Sequence, residues 1–352
     1  MTSQFSSHDE YGFVRPDNFN YKVHEEFMNG YLGVLARRRQ KWDALLKSGY
    51  NKLDTGPKLK RYIRKGVPSS HRKGVWMQVS GAAKLRSEEP DLYPTMLNMT
   101  IKNQIIEDQI QTDIPRTFPN NMLFDKTHPK TLQIPLFNIL KAFANSNPKI
   151  GYCQGLNYIA GLILLVTKDE DASFWLLKVM CEKILPEYYT ASMPGLLTDV
   201  KVLAELSRQE MPALATHIDK MQMPWALFCS KWLICIYAEV LPTETVLRIW
   251  DTIFYEGSKI VFRVALGLLK LNQESLLAKN DFALLAEEFK EILDSKSTVN
   301  CHTFLEDICD KTGALPKARI QKLRAEFGAQ VREEQLERER RRKADGSGMK
   351  DG

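Results

Sequence analysis

Two short stretches place a long polar side chain on a loop beside an apolar helix, where it is free to reach outward. The first is Ile110-Gln-Thr-Asp113-Ile-Pro-Arg116-Thr-Phe-Pro119. Isoleucines 105, 106 and 110 recur at helical spacing, so the stretch opens as the end of an amphipathic helix. Pro115 lacks an amide hydrogen and disfavours the α conformation at Ile114, which predicts a helix ending near Asp113 and an Ile114 outside the α region. Arg116 then lies beyond the helix end, on a loop closed by Pro119, with a stiff backbone behind a side chain free to reach outward. A guanidinium is permanently charged and forked, with five N–H donors. Taken alone, such an arginine reads as a helix-end surface residue paired with Asp113. The second stretch is Gly151-Tyr152-Cys-Gln154-Gly155-Leu-Asn157, a loop feeding an apolar helix. The Gln154 amide offers a carbonyl acceptor and an NH₂ donor. Taken alone, Gln154 reads as a helix-entry residue and Tyr152 as a core aromatic with a paired hydroxyl.

These loops need elements to position them. The chain has 352 residues, 44% of them hydrophobic, enough for a large core in one or two domains. Helical periodicity dominates, and no alternating runs around Asn-Gly or Asp-Gly suggest hairpins. A nearly all-α fold is expected. The net charge of +6 is modest for this length and does not imply nucleic acid. Six scattered cysteines without a Cys-x-x-Cys pair fit a reducing compartment and argue against a structural zinc site. The N-terminus shows neither secretory signal nor myristoylation glycine, and the C-terminus no prenylation box. Apolar runs at 158–166 and 225–241 fall short of the ~20 residues a spanning helix needs, so buried helices are expected there and no transmembrane segment.

In chain order, residues 1–20 read as polar and irregular, and a helix is expected over about 20–47 with Trp42 inward. Between Lys58 and Lys73 stand seven lysines and arginines and no acid, read as one solvated helix face with possible contact to anionic membrane. After Gly66-Val-Pro68, Ser69 or Ser70 is expected to cap a helix carrying Val75, Trp76 and Val79 inward. Pro129 is expected to be the first residue of a helix ending at Asn145-Ser-Asn-Pro148. Further helices are expected over 171–185, 198–221 with a break near Pro212, 225–241, 243–255, 258–271, 281–293 and 301–311. From Lys317, Ile320, Leu323, Phe327 and Val331 form a narrow stripe. Beyond it, residues 332–343 hold ten charged residues and one apolar one, Leu336, as in a solvated helix or tail.

Walker loops, Gly-x-Gly-x-x-Gly, Gly-x-Ser-x-Gly and His-Glu-x-x-His are missing, and the histidines show no metal spacing. What remains is an ordered set of short motifs. Gly66-Val-Pro68 with Arg72 and Trp76 comes first, then Ile110-x-x-Asp113-x-x-Arg116 with Thr117-Phe118-Pro119, then Tyr152-x-Gln154 with Gly155 and Asn157. Trp232, Leu241-Pro242 and Leu247-Arg-Ile-Trp250-Asp251 follow. Together, over roughly Gly66 to Phe304, they resemble the TBC family, the GTPase-activating proteins of Rab GTPases. At closer range the resemblance extends to Tyr11-Gly-Phe-x-Arg15-Pro16 and Lys41-Trp42.

The resemblance implies an all-α, multi-helix TBC-type domain over 58–313. An N-terminal helical extension (1–57) would precede it, and a charged C-terminal helix or tail (314–352) would follow. It implies that Arg116 is an arginine finger and Gln154 a glutamine finger, both supplied in trans to a Rab-family GTPase. Asp113, Tyr152 and Ile110 would support them, and Arg72, Trp76, Trp250 and Asp251 would be structural or line the groove. GTP and Mg²⁺ would be carried by the partner, with no metal or cofactor bound by this chain, in a cytoplasmic protein peripheral to the membranes of its target. The competing expectation is a helical adaptor that binds Rab without accelerating hydrolysis.

Overall fold

The computed structural model describes residues 7–15, 17, 19–293 and 296–347. The expectations for Met1–Ser6 and for the last five residues, and the match at Pro16, lie outside the described residues. Those described form helices joined by turns, with antiparallel bridges only at His8–Val14 and Phe13–Asn121. The fold is all-α.

The helices are α1 (Tyr21–Leu45), α2 (Pro57–Lys65), α3 (Ser69–Val79), α4 (Ala82–Glu88), α5 (Leu92–Asn98), α6 (Gln104–Asp113), α7 (Gln133–Ser146), α8 (Leu156–Thr167) and α9 (Glu170–Val179). They continue with α10 (Pro194–Glu210), α11 (Pro212–Lys220), α12 (Trp225–Ile234), α13 (Thr243–Glu256), α14 (Lys259–Leu271), α15 (Gln273–Leu277), α16 (Phe282–Glu291), α17 (Lys296–Val299), α18 (Cys301–Thr312) and α19 (Lys317–Ser347). Two compact units result. One runs from the N-terminal segment to Ile184 and takes in Val246–Gly257; the other holds Leu185–Thr245 and the chain from Ser258 onward.

In the first unit α8 is apolar on all sides, and Leu156, Ile159, Ala160 and Leu162 to Leu165 are buried. It packs against α7 and α9. The Asp169 carboxylate caps α9, accepting from the Ala172 amide at 3.0 Å. Trp42 of α1 is buried with Leu59, Ile63, Val67 and Val75 and donates its indole N–H to the Gly66 carbonyl at 3.0 Å. In the second unit α10 packs on α19 and α14 on α18. Ile320, Leu323 and Val331 bury the expected stripe of α19, and Leu336 is exposed. Past the stripe, Glu334 pairs with Lys201, and Gln335 donates to the Ser192 carbonyl. No helix of the described residues is long and apolar enough to cross a membrane.

Several local expectations are corrected. Ile114 stays in the α region (φ −52°, ψ −53°) and leads a 3₁₀ turn, Ile114–Arg116. Its buried side chain and the hydrogen bond its backbone N–H donates to the Ile110 carbonyl outweigh the pre-proline preference. Pro68, not Ser69 or Ser70, precedes the first helical residue of α3, and no side-chain cap forms there. The helix expected from Pro129 begins at Gln133, because His128–Thr131 closes a turn (Thr131 N–H to His128 C=O, 3.0 Å) and the Gln133 side chain donates from Nε2 back to the Phe124 carbonyl at 2.6 Å. The helix expected over 225–241 stops at Ile234; Ile236 and Tyr237 turn left-handed, and the buried Tyr237 hydroxyl donates to the Val261 carbonyl at 2.7 Å.

The basic stretch 58–73 is not one solvated face. Lys60 and Arg64 converge on Glu256, which is 4% exposed. Arg72 is buried against Asp251, and Lys73 meets Asp169 at 2.5 Å. The three remaining basic residues, Lys58, Arg61 and Lys65, are exposed.

Candidate functional site

The site lies wholly within the first unit, on the turn that ends α6 and the turn that starts α8. Ile110 is fully buried, and its carbonyl receives the Ile114 amide, anchoring the base of the first turn. Arg116 ends the 3₁₀ turn with its side chain exposed. Two residues on, Phe118 adopts φ +49°. A bulky residue in the left-handed region costs about 1–3 kcal/mol and persists only where its surroundings enforce it. Here the rings of Phe13, Phe124 and Tyr158 pack edge-on at 5.3, 5.4 and 5.5 Å between centroids.

The second turn solves the same problem with glycine. Gly151 has φ +58° and Gly155 φ +108°, conformations that glycine adopts without steric cost. A Cβ on Gly151 would stand 2.5 Å from Cδ1 of Ile106, so the wall against this turn is α6, the helix that leads to Arg116. Gln154 is exposed between the glycines. Among the described residues, neither the Arg116 guanidinium nor the Gln154 amide has a hydrogen-bond or ion-pair partner. The pairing of Arg116 with Asp113 that either residue type would allow does not form.

Asp113 is occupied elsewhere. It is 8% exposed, and its carboxylate accepts from the Tyr152 hydroxyl at 2.8 Å. Burial, reinforced by that bond, pushes the Tyr152 hydroxyl far above the ordinary phenol range, so it remains a proton donor. A second chain of bonds runs beside the first. The Asp113 carbonyl accepts from Thr117 Oγ1 at 2.9 Å, Thr117 Oγ1 accepts from Asn157 Nδ2 at 2.9 Å, and Asn157 Oδ1 accepts from the Gly155 amide at 3.1 Å. Thr117 and Asn157 are fully or almost fully buried. The two turns are therefore bonded to each other twice, beneath two free side chains. Burial raises the neighbouring Cys153 thiol to about 11, which keeps it neutral at ordinary pH.

Arg72, Trp76, Trp250 and Asp251 are not brought to this surface. All four are 0–1% exposed. Asp251 accepts from Arg72 Nε at 3.2 Å, Trp76 Nε1 at 2.8 Å and the Val67 amide at 3.0 Å. Burial pushes the Asp251 carboxyl above its ordinary range against the opposing pull of Arg72. Stranding one partner of such a pair costs about 3–5 kcal/mol, so these residues hold α3 to α13. Sequence motifs do not mark the bond chain through Thr117 and Asn157 or the packing of Phe13 on Phe118. Thr117 and Asn157 stood inside the motifs, but only the folded chain places them one bond apart.

The Rab-GTPase-TBC domain model matches residues 69–277. The chain is 44% identical to Growth hormone-regulated TBC protein 1-A of Danio rerio, over 93% of this chain and 91% of that protein. It is 43% identical to Growth hormone-regulated TBC protein 1 of Homo sapiens, over 92% and 95%. Among solved structures, the crystal structure of the Chlamydomonas flagellar RabGAP TBC domain is similar with a TM-score of 0.73 at 30% identity, covering 87% of this chain and 100% of that one. The chain belongs to the Rab-GTPase-TBC family.

Proposed function

We propose that this chain accelerates GTP hydrolysis by a Rab-family GTPase, supplying Arg116 as an arginine finger and Gln154 as a glutamine finger in trans. The observation that carries the proposal is the pair of exposed, unpartnered side chains on turns bonded to each other through Tyr152–Asp113 and Asn157–Thr117. GTP hydrolysis by a small GTPase is slow because charge develops on the phosphate oxygens and the attacking water is poorly held. The Arg116 fork neutralises that charge, and the Gln154 amide orients the water with its carbonyl while its NH₂ donates to phosphate. Asp113 and Tyr152 fix the separation of the turns, and Ile110 anchors the first of them. GTP and Mg²⁺ enter with the Rab; this chain contributes side chains and no cofactor of its own.

The test is single-turnover GTP hydrolysis across a panel of purified Rabs. Acceleration of at least one Rab supports the reading. Binding to the GTP form of a Rab without acceleration of any would make the chain an adaptor and overturn it.

A further inference from the structure

Tyr11 to Val14 precede the matched family region, and they fold onto the turn that carries Arg116. The segment is organised in itself: the Asp9 carboxylate accepts the amides of Tyr11 and Phe13 at 2.9 Å each, and His8 and Val14 form an antiparallel bridge. It is then fastened to the residues just beyond Arg116. The Val14 amide donates to the Asn120 carbonyl at 2.9 Å, the Met122 amide donates to the Gly12 carbonyl at 2.9 Å, and Asn121 Nδ2 donates to the Tyr11 carbonyl at 3.0 Å. Gly12, at φ +89°, allows this approach; a Cβ there would stand 3.1 Å from Met122 Cγ. At the far end, Arg72 Nη1 donates to the Tyr11 hydroxyl at 2.7 Å, tying the segment to the buried Asp251 pair. Phe13 supplies one of the three rings around the left-handed Phe118, and the only one of them from outside residues 69–277.

We infer that the N-terminal segment is a clamp on the arginine turn, with Phe13 and Tyr11 as positioning residues that set where Arg116 points. The inference rests on the reading of Arg116 as a finger. A strained conformation two residues from Arg116 holds only while its surroundings over-determine it, and the clamp provides one side of those surroundings. Loosening it leaves the guanidinium present but misplaced, and misplacement by about 1 Å can cost about a hundred-fold in rate.

The experiment uses the full chain and a GTP-loaded Rab that the wild-type chain activates. Phe13→Ala is expected to lower kcat about ten- to a hundred-fold with KM nearly unchanged. Phe13→Tyr, which keeps the ring edge on Phe118, should restore most of the rate. In an Arg116→Ala background, Phe13→Ala should add almost no further loss, since the clamp acts through that side chain. A general structural role would instead lower the melting temperature and add its loss to that of Arg116→Ala. If Phe13→Ala does not fold, Phe13→Leu, still apolar but without the ring edge, gives the same split between kcat and KM. A rise in KM with kcat intact would make the segment part of the Rab-binding surface and overturn the clamp. An unchanged kcat in both Phe13 variants, alongside a large loss in Arg116→Ala, would also overturn it and leave the finger reading standing. Near-normal activity in Arg116→Ala would instead remove the finger reading and the clamp together.

Discussion

The turns that present Arg116 and Gln154 are fixed by opposite means. The Gln154 turn takes its positive φ angles on Gly151 and Gly155, where they carry no steric cost. The Arg116 turn takes its positive φ on Phe118, and rings from three separate segments hold it there. One turn is specified within a few residues of Gln154; the other depends on contacts gathered from much of the first unit. Local specification is robust to distant change, whereas a turn held by its surroundings inherits the state of every segment that packs on it. The hydrogen bonds from Tyr152 to Asp113 and from Asn157 to Thr117 tie the two kinds of turn into one platform.

Breaking the Arg116 side has the largest expected effect. Arg116→Ala should remove acceleration by about 10³–10⁵-fold in single-turnover hydrolysis. Arg116→Lys should recover little, because the fork is lost. The exposure of Arg116 implies that neither change lowers the melting temperature appreciably. Near-normal activity in the alanine variant would take Arg116 out of the chemistry.

Gln154→Ala should cost less, about 10²–10³-fold, the scale of one preorganised polar contact to the transition state. It sharpens the comparison through a cross of two proteins against two Rabs. If Gln154 replaces the GTPase's own switch glutamine, a Rab with that glutamine changed to alanine still responds to the wild-type chain and fails to respond to Gln154→Ala. A switch-variant Rab that binds nucleotide normally yet ignores the wild-type chain would reduce Gln154 to a residue of the turn.

Cutting the link between the turns comes next. Tyr152→Phe removes the hydroxyl and leaves the nearly buried Asp113 carboxylate without that donor, at a cost of about 1–3 kcal/mol in stability. Hydrolysis should fall about ten-fold as the turns lose their fixed separation. Asp113→Asn keeps an acceptor for the Tyr152 hydroxyl and should lose less of both. Equal losses of rate and stability in the two variants would mean that a neutral acceptor at position 113 cannot hold the Tyr152 hydroxyl, so that the bond needs the charge on Asp113 as well as the donor.

The contrast between the turns also explains what was legible in the chain. The helix ending at Asp113 and the glycine-flanked turn at Gln154 follow from proline, glycine and apolar spacing, which act over a few residues. The buried stripe of α19 followed from the same periodicity. What could not be read was decided by partners far away in sequence. Ile114 stays helical because it is buried, α12 stops early because Tyr237 reaches Val261, and the acids that claim Lys60, Arg64 and Arg72 lie about 180–200 residues further on, as Glu256 and Asp251. No local pattern marks Phe118 as left-handed either, and the residues that enforce it come partly from the N-terminal segment.

The smallest expected effect lies away from both turns, at Lys58, Arg61 and Lys65. These three are the exposed remainder of the basic stretch once Glu256, Asp251 and Asp169 have taken the others. Changing all three to glutamine removes no ion pair with Glu256 and touches neither turn, so hydrolysis of a soluble Rab should stay within about two-fold of wild type, as expected for surface substitutions worth about 0.5 kcal/mol or less. An anionic membrane surface attracts each nearby lysine or arginine by about 1 kcal/mol, so binding to phosphatidylserine vesicles in a sedimentation assay should weaken by at least ten-fold if the three sit at the lipid. Arg64→Ala is the contrasting variant. It strips the buried Glu256 of its closest cation, at 2.6 Å, and should lower the melting temperature with no vesicle effect beyond that of one lost charge. Unchanged vesicle binding in the triple variant would rule out membrane contact through this stretch. Collapse of the soluble reaction would instead place Lys58, Arg61 and Lys65 on the surface that meets the Rab, and the division between a chemical platform and an inert basic helix would have to be redrawn.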